Sequence, residues 1–134
     1  MTHPTRFLAL TLLLASCGGS NEGNAGGNAS GLSRTLMVAS LSASQALTLC
    51  DWTNGKMGGY GRQVTCEDGG ATDGTDPSAE VCVESLPQVG VLCPTLTVAD
   101  LEDCVNAIGT NLCARPTTAA CANVNECMSV AGSR

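Results

Sequence analysis

The chain has 134 residues, a formal net charge of −6 and only 2% aromatic residues. A chain of this length holds about one domain, which excludes a large multidomain enzyme, and its acidic balance argues against partners such as nucleic acid. Nine cysteines in so short a sequence are the main feature to explain.

The N-terminus has the pattern of an export signal. Arg6 precedes an apolar run over residues 7–14, which is much shorter than the roughly 20 residues that span a bilayer. The run ends in the sequence Leu14-Ala15-Ser16-Cys17. This sequence resembles the lipobox of bacterial lipoprotein precursors, in which the cysteine thiol receives a diacylglyceryl group and the chain is cut just before the cysteine.

The resemblance implies that residues 1–16 are a signal peptide and that acyl chains such as palmitate on Cys17 hold the protein at a membrane. Gly18, in place of an aspartate, resembles the outer-membrane sorting signal of Gram-negative bacteria. The domain would then face the periplasm or the exterior, although an inner-membrane location stays open. The alternative is an ordinary cleaved signal peptide, with Cys17 incidental or paired with another cysteine.

A Gly, Asn and Ser-rich stretch follows the lipobox. Residues 17–33 are too polar to offset the entropy of ordering, so we predict a lipidated cysteine followed by a disordered linker. The folded domain is predicted to occupy residues 34–134. Residues 32–41, around the start of this domain, are more apolar and fit an edge strand, a short helix or a lead-in that packs on the core.

Helix signals then follow in chain order. Ser42 and Gln45 form a capping-box pattern at the start of the first predicted helix, which Gly58 ends. The second is predicted to begin at Asp76, as an N-cap before a proline, and to end before Pro87.

The third predicted helix begins at Thr97, with Asp100 three residues later, and ends at Gly109. Residues 116–122 and 124–131 are predicted to form short helical turns. The fold class is therefore mainly α: a small disulfide-rich domain of three or more short helices with long Gly-rich loops.

Three other segments between the helices have weaker patterns. Residues 59–66 are predicted to be extended, and residues 67–76 are predicted to be a loop because they combine glycine, aspartate and threonine. Residues 89–92 are predicted to be a second short extended piece.

Eight cysteines remain after Cys17 is set aside, and their spacing contains no Cys-x-x-Cys pair. Zinc ribbons, haem attachment sites and thioredoxin-like sites all need such pairs. We predict four structural disulfides, with labile or redox-active pairs as the alternative. The pairing itself stays open, except that Cys50, Cys82 and Cys104 lie on apolar helix faces and should bridge inward. The eight are Cys50, Cys66, Cys82, Cys93, Cys104, Cys113, Cys121 and Cys127.

Short motifs around these cysteines resemble those of uncharacterised small cysteine-rich lipoproteins of Gram-negative bacteria. The resemblance implies no known activity. The motifs are Leu49-Cys50-Asp51-Trp52, Gly58-Gly59-Tyr60-Gly61 and Cys93-Pro94.

Two groups of residues are candidate binding sites. In the loop 67–76, Asp68, Asp73 and Asp76 are a calcium candidate because hard cations need several oxygen ligands on a turning backbone. The spacing departs from that of an EF-hand, and a solvated turn-rich loop explains the same residues.

Trp52 and Tyr60 are the second candidate, as the two aromatic residues beyond the signal segment. An exposed pair would form a small binding patch. The interpretation that we favour is that they pack the centre of a domain that is poor in aromatic residues.

Catalysis is not expected. His3 is the only histidine and lies in the signal segment, so the usual general base is missing from the mature protein. We predict no enzyme activity, no cofactor and no nucleic-acid partner. The expected function is a membrane-tethered structural or protein-interaction module of the cell envelope, with another envelope protein as a potential partner. The alternative is a small-ligand or calcium-binding lipoprotein that uses the loop 67–76.

Overall fold

The computed structural model describes residues 27–67 and 72–131, and this part of the chain is mainly helical. The predicted fold class, a small disulfide-rich and mainly α domain, is confirmed. The helices and strands are α1 (Ala43–Lys56), β1 (Gln63–Thr65), β2 (Thr72–Gly74), α2 (Ala79–Leu92), α3 (Val98–Ile108) and α4 (Ala122–Ala131). Short 3₁₀ helices lie at Val38–Ser40, Leu112–Thr117 and Ala119–Cys121.

The predicted capping box begins α1. The Ser42 hydroxyl accepts a hydrogen bond from the Gln45 backbone N–H at 3.3 Å, and the Gln45 side-chain oxygen accepts one from the Ser42 N–H at 2.9 Å. The helix ends just before Gly58, whose φ of 101° is a conformation that residues with a Cβ rarely adopt. Both ends of the first predicted helix are therefore confirmed.

The N-terminus of α2 differs from the prediction. Ser78, not Asp76, is the N-cap, and its hydroxyl accepts a hydrogen bond from the Val81 N–H. Asp76 has a different role, because its carboxylate accepts a hydrogen bond from the Asn54 side chain on α1. A tertiary contact thus removes the side chain that local sequence rules assign to the cap.

The C-terminus of α2 also differs, because the helix continues through Pro87. Proline costs a helix one backbone hydrogen bond, and here the following turn packs on the 3₁₀ helix Val38–Ser40. Gly90 lies so close to Ala39 that a Cβ at position 90 would be 2.5 Å from the Ala39 Cα. The predicted extended conformation of residues 89–92 is wrong, since this packing holds them in the helix.

α3 follows the prediction at both ends. The Thr97 hydroxyl accepts a hydrogen bond from the Asp100 N–H at 3.2 Å, and the Asp100 carboxylate accepts one from the Thr97 N–H at 2.9 Å. Partial burial opposes ionisation of Asp100, but hydrogen bonds from Thr97 and Asn123 outweigh it, so the pKa of Asp100 is lowered. Gly109 ends the helix with a positive φ.

The lowered pKa makes the contribution of Asp100 depend on pH. A depressed folded-state pKa stabilises the fold above the unfolded pKa of about 3.9, and this stabilisation is lost as the pH falls through the folded pKa. We expect Asp100→Ala to cost about 1 kcal/mol at neutral pH and progressively less in acid. Denaturant unfolding at neutral pH and at acidic pH measures the cost of the substitution, with the exposed Glu84→Ala as control. An equal cost at both pH values would contradict the prediction.

The segment between α1 and α2 forms a small hairpin. The extended segment predicted at 59–66 contains β1, and the loop predicted at 67–76 contains β2, so that part of the loop prediction is wrong. The two strands pair antiparallel, with Val64 opposite Asp73. Three-residue strands carry little local signal, because their pairing depends on partners elsewhere in the chain.

The C-terminal part is helical, as predicted, with different bounds. The 3₁₀ helix Leu112–Thr117 covers the first of these turns in part, and a second 3₁₀ helix, Ala119–Cys121, leads directly into α4. The two short turns predicted at 116–122 and 124–131 are therefore one nearly continuous helical segment.

Four disulfides join these elements, which confirms the prediction for the eight cysteines. Cys50, Cys82 and Cys104 are each at most 5% exposed, so they bridge inward as expected. Two apolar clusters each contain one of the bridges: Val38 and Leu96 pack with Cys93 and Cys127, and Ile108 and Leu112 pack with Cys104 and Cys121. The pairs are Cys50–Cys82, Cys66–Cys113, Cys93–Cys127 and Cys104–Cys121.

One disulfide is more accessible than the others. Cys66 and Cys113 are both half-buried, whereas the six cysteines of the other bridges are at most 8% exposed. Thiol–disulfide exchange needs access of a thiolate to a sulfur atom, so limiting reductant should open Cys66–Cys113 first. Alkylation followed by peptide mass mapping measures the order. Earlier labelling of any buried pair would contradict this prediction.

Candidate functional site

The two aromatic residues do not form one exposed patch. Trp52 is only 4% exposed, and its indole N–H donates a hydrogen bond to the Gly27 carbonyl at 3.0 Å. The ammonium of Lys56 lies 5.8 Å from the centre of the Trp52 ring. The interpretation that Trp52 packs inside the domain agrees with this burial, and an exposed patch containing Trp52 does not.

Tyr60 is half-buried at the turn after α1. Its hydroxyl donates a hydrogen bond to the Asp51 carboxylate at 2.8 Å. Burial, together with this hydrogen bond, raises the pKa of Tyr60. The phenol is therefore a protonated donor that fixes the turn to α1.

The acidic loop holds two carboxylates that already have protein partners. Asp73 accepts a hydrogen bond from the Arg115 guanidinium at 2.9 Å, and Asp76 accepts one from Asn54 at 3.1 Å. Asp68, the third member of the calcium candidate, lies outside the described residues. Within the described ranges, no three histidine, cysteine, aspartate or glutamate side chains come together as a metal site.

A different site lies where the N-terminal part of the described chain meets α3. Residues 27–37, here called the strap, run antiparallel along this helix. The Leu36 carbonyl accepts a hydrogen bond from the Val98 N–H, and the Arg34 carbonyl accepts one from the Ala99 N–H. Farther along, the Asn106 side chain donates to the Asn28 carbonyl at 2.7 Å. The strap is therefore attached at both ends of α3.

Glu102 is the centre of this attachment. Its side chain is 0% exposed, and one carboxylate oxygen accepts hydrogen bonds from the backbone N–H and the hydroxyl of Ser30, both at 2.7 Å. The other oxygen accepts one from the Arg34 guanidinium at 3.2 Å. A buried carboxylate is costly without partners, and here the strap supplies all three of the donors that Glu102 has among the described residues.

Arg34 also binds a second carboxylate, which lies at the surface. Its second terminal nitrogen donates to both oxygens of Asp103, at 2.7 and 2.8 Å, which is a charge-assisted contact at the surface. The hydrogen bond and charge of Asp103 raise the pKa of Arg34. Glu102 and Asp103 therefore hold one guanidinium from two sides.

Neither Glu102 nor Arg34 is among the site residues predicted from the sequence. We predicted that residues 17–33 form a disordered linker and that the domain begins at 34, whereas residues 27–33 are bound to the domain. Residues 17–26, including Cys17, lie outside the described residues. Glu102 had a detectable signal, because it lies four residues after Val98 and three before Val105, on the face of α3 that those two buried residues define.

Comparison of the chain with models of known protein families, with curated proteins and with solved structures gives no match. Within the part of the chain that the structure describes, no helix has the length and apolar character needed to cross a membrane.

Proposed function

We propose that the protein is a lipid-anchored lipoprotein of the bacterial cell envelope, whose domain is a structural or protein-interaction module. The observation that carries the proposal is the use of the nine cysteines. Eight of them pair with one another inside the domain. The ninth, Cys17, is the residue that a lipobox would modify.

The disulfides support an extracytoplasmic location. Structural disulfides form and persist in oxidising compartments such as the periplasm, and they are rare in the reducing cytosol. Six of the eight paired cysteines are buried within the domain, where they take the place of a larger aromatic core. A chain that depends on such bridges would have to be exported before it folds, which agrees with a signal peptide over residues 1–16.

The strap supports a role for the domain close to the membrane. Ten residue-to-residue steps separate Cys17 from Gly27, and they can span at most about 35 Å, because an extended chain covers about 3.3 to 3.6 Å per residue. Gly27 lies against Trp52 of α1, and Asn28 lies near the C-terminal end of α3. The lipid would therefore hold the domain near the bilayer by a defined end, and we favour an outer-membrane location because Gly18 follows the cysteine.

Labelling with a fatty-acid analogue in a bacterium with a lipoprotein pathway tests the anchor. The protein should label and fractionate with membranes, and Cys17→Ser should abolish both. The control is Cys66→Ser with Cys113→Ser, which removes the more accessible disulfide and leaves the lipobox intact, so it should label normally. Labelling of the Cys17→Ser variant would refute the proposal.

A further inference from the structure

The strap is attached to the domain by polar contacts and not by burial of apolar side chains. None of its residues is buried, and none belongs to either apolar cluster of the core. The first buried residue after it is Val38, which is 2% exposed and packs with Leu96 and the Cys93–Cys127 bridge. Segments with few buried apolar contacts open at a lower free energy than the rest of a domain. The strap should therefore detach before the part of the domain that begins at Val38.

The four disulfides place no covalent constraint on the strap. All of them join cysteines between Cys50 and Cys127, so none of these closed loops includes residues 27–37. After Val38 the situation changes, because Cys50–Cys82 links α1 covalently to α2. The strap can therefore leave α3 while all four bridges stay intact and hold the rest of the domain together.

Detachment of the strap should be all-or-none, because one buried carboxylate holds it at two residues. Among the described residues, Glu102 accepts hydrogen bonds only from Ser30 and Arg34. If Ser30 left alone, the fully buried carboxylate would keep a single donor, and a buried charge that loses its partners is costly. A partly detached strap is therefore less favourable than either the bound or the released state.

A pulling force on a lipid at Cys17 would act on the strap first. The chain that leads from Cys17 reaches the described part of the domain at Gly27, whose carbonyl accepts a hydrogen bond from Trp52. Measured from Cys17, the extended chain reaches at most about 35 Å to Gly27 and at most about 75 Å to Val38. Release of the strap thus about doubles the distance over which the domain can move from its anchor.

We propose that the strap is a force-sensitive extension of the lipid tether. Without load it stays on α3 and keeps the domain close to the bilayer. When a bound partner pulls the domain away, the strap leaves α3 as a unit, and the extension stops at Val38, where the buried and disulfide-linked part of the domain begins. The strap binds again when the load falls, because none of its contacts is covalent. The inference rests on the proposed function, since the load acts between the lipid on Cys17 and the partner of an interaction module.

Single-molecule force spectroscopy on the mature chain tests the release. One handle is attached to the Cys17 thiol of protein exported through an ordinary signal peptide, which leaves this thiol unmodified. The other handle is attached to an azide-bearing amino acid in place of Val91, which is 81% exposed on α2. We expect a reversible step before the domain unfolds. Its contour length should be about 25 Å, because about 36 to 40 Å of chain from Gly27 to Val38 replaces the roughly 12 Å that the bound strap spans along α3.

Two variants and a control assign the step to the Glu102 contact. Glu102→Ala should remove the step, because the strap is then released without load. Arg34→Ala changes the strap alone and should increase the released fraction at a fixed force about tenfold, the value of one hydrogen bond to a charged group. Asp103→Ala removes an exposed ion pair and should change this fraction less than about threefold. No step in the wild type, an unchanged step in Glu102→Ala or Arg34→Ala, or one longer step that also unfolds α1 would overturn the proposal.

Pulling the membrane-extracted protein from a supported bilayer, through the same handle at position 91, separates this inference from the lipid anchor. The strap step followed by withdrawal of the lipid supports both. Withdrawal of the lipid before any strap step overturns the inference and leaves the anchor standing. Protein that the bilayer does not retain refutes the anchor, and the tether role of the strap is overturned with it.

Discussion

Replacing Cys50 and Cys82 together with alanine should lower the free energy of unfolding by about 4 kcal/mol. The bridge joins α1 to α2 across a sequence separation of 32 residues, and in the chain-entropy model a closed loop of this size contributes about 4 kcal/mol. Both sulfurs are buried, so the variant also loses packing. Because small domains have only about 5 to 15 kcal/mol of stability, a large part of the fold depends on this bridge.

Denaturant unfolding of the oxidised proteins measures this effect. Val91→Ala is the control, because Val91 is 81% exposed and its loss should change stability by less than about 0.5 kcal/mol. Mass spectrometry verifies that the other three disulfides have formed in the double variant. A loss below about 1 kcal/mol, far under the loop-closure value, would contradict the claim that the bridges hold the domain together.

Glu102→Ala should release the strap from α3 and cost about 2 to 4 kcal/mol. The backbone N–H and the hydroxyl of Ser30 both donate to the buried Glu102 carboxylate. A buried donor that is left without an acceptor costs about 1 to 3 kcal/mol. The cavity left by the side chain adds to the loss. Stability from chemical denaturation and amide hydrogen exchange of the strap measure the two parts of this effect.

The neighbouring residue Asp103 offers a matched control for the Glu102→Ala prediction. Asp103 also binds Arg34, but its side chain is 54% exposed, and exposed ion pairs contribute little to stability. Asp103→Ala should therefore leave hydrogen exchange at Ser30 nearly unchanged, while Glu102→Ala accelerates it at least tenfold. Equal effects of the two variants would show that the strap is held by surface charge and not by the buried carboxylate.

Helices whose ends are set by nearby residues were predictable. The capping boxes at Ser42 and Thr97 each satisfy two backbone groups within four residues, so the sequence contains the whole interaction. α2 was mispredicted at both ends for the opposite reason. Asn54 takes Asp76 away from the cap, and packing on Ala39 carries the helix past Pro87.

Neither the strap nor the disulfide pairing could be predicted from the sequence, and the physical reason is the same for both. Ser30 and Glu102 are 72 residues apart, and no local pattern in a Gly and Asn-rich segment indicates a buried acceptor on α3. Likewise, helix faces predicted which way Cys50, Cys82 and Cys104 point but not which cysteines they meet. Both depend on how distant elements pack, which local propensity does not encode.

We propose that Cys17 carries a lipid, and the mass of one peptide tests this most directly. Trypsin cleaves after Arg34, so the membrane-extracted mature protein should yield the peptide from Cys17 to Arg34. We predict that this peptide begins at Cys17 and carries the mass of a diacylglyceryl group, with a further acyl chain on its new amino terminus where the host adds one. A peptide that retains residues before Cys17, or an unmodified thiol at Cys17, would contradict the account.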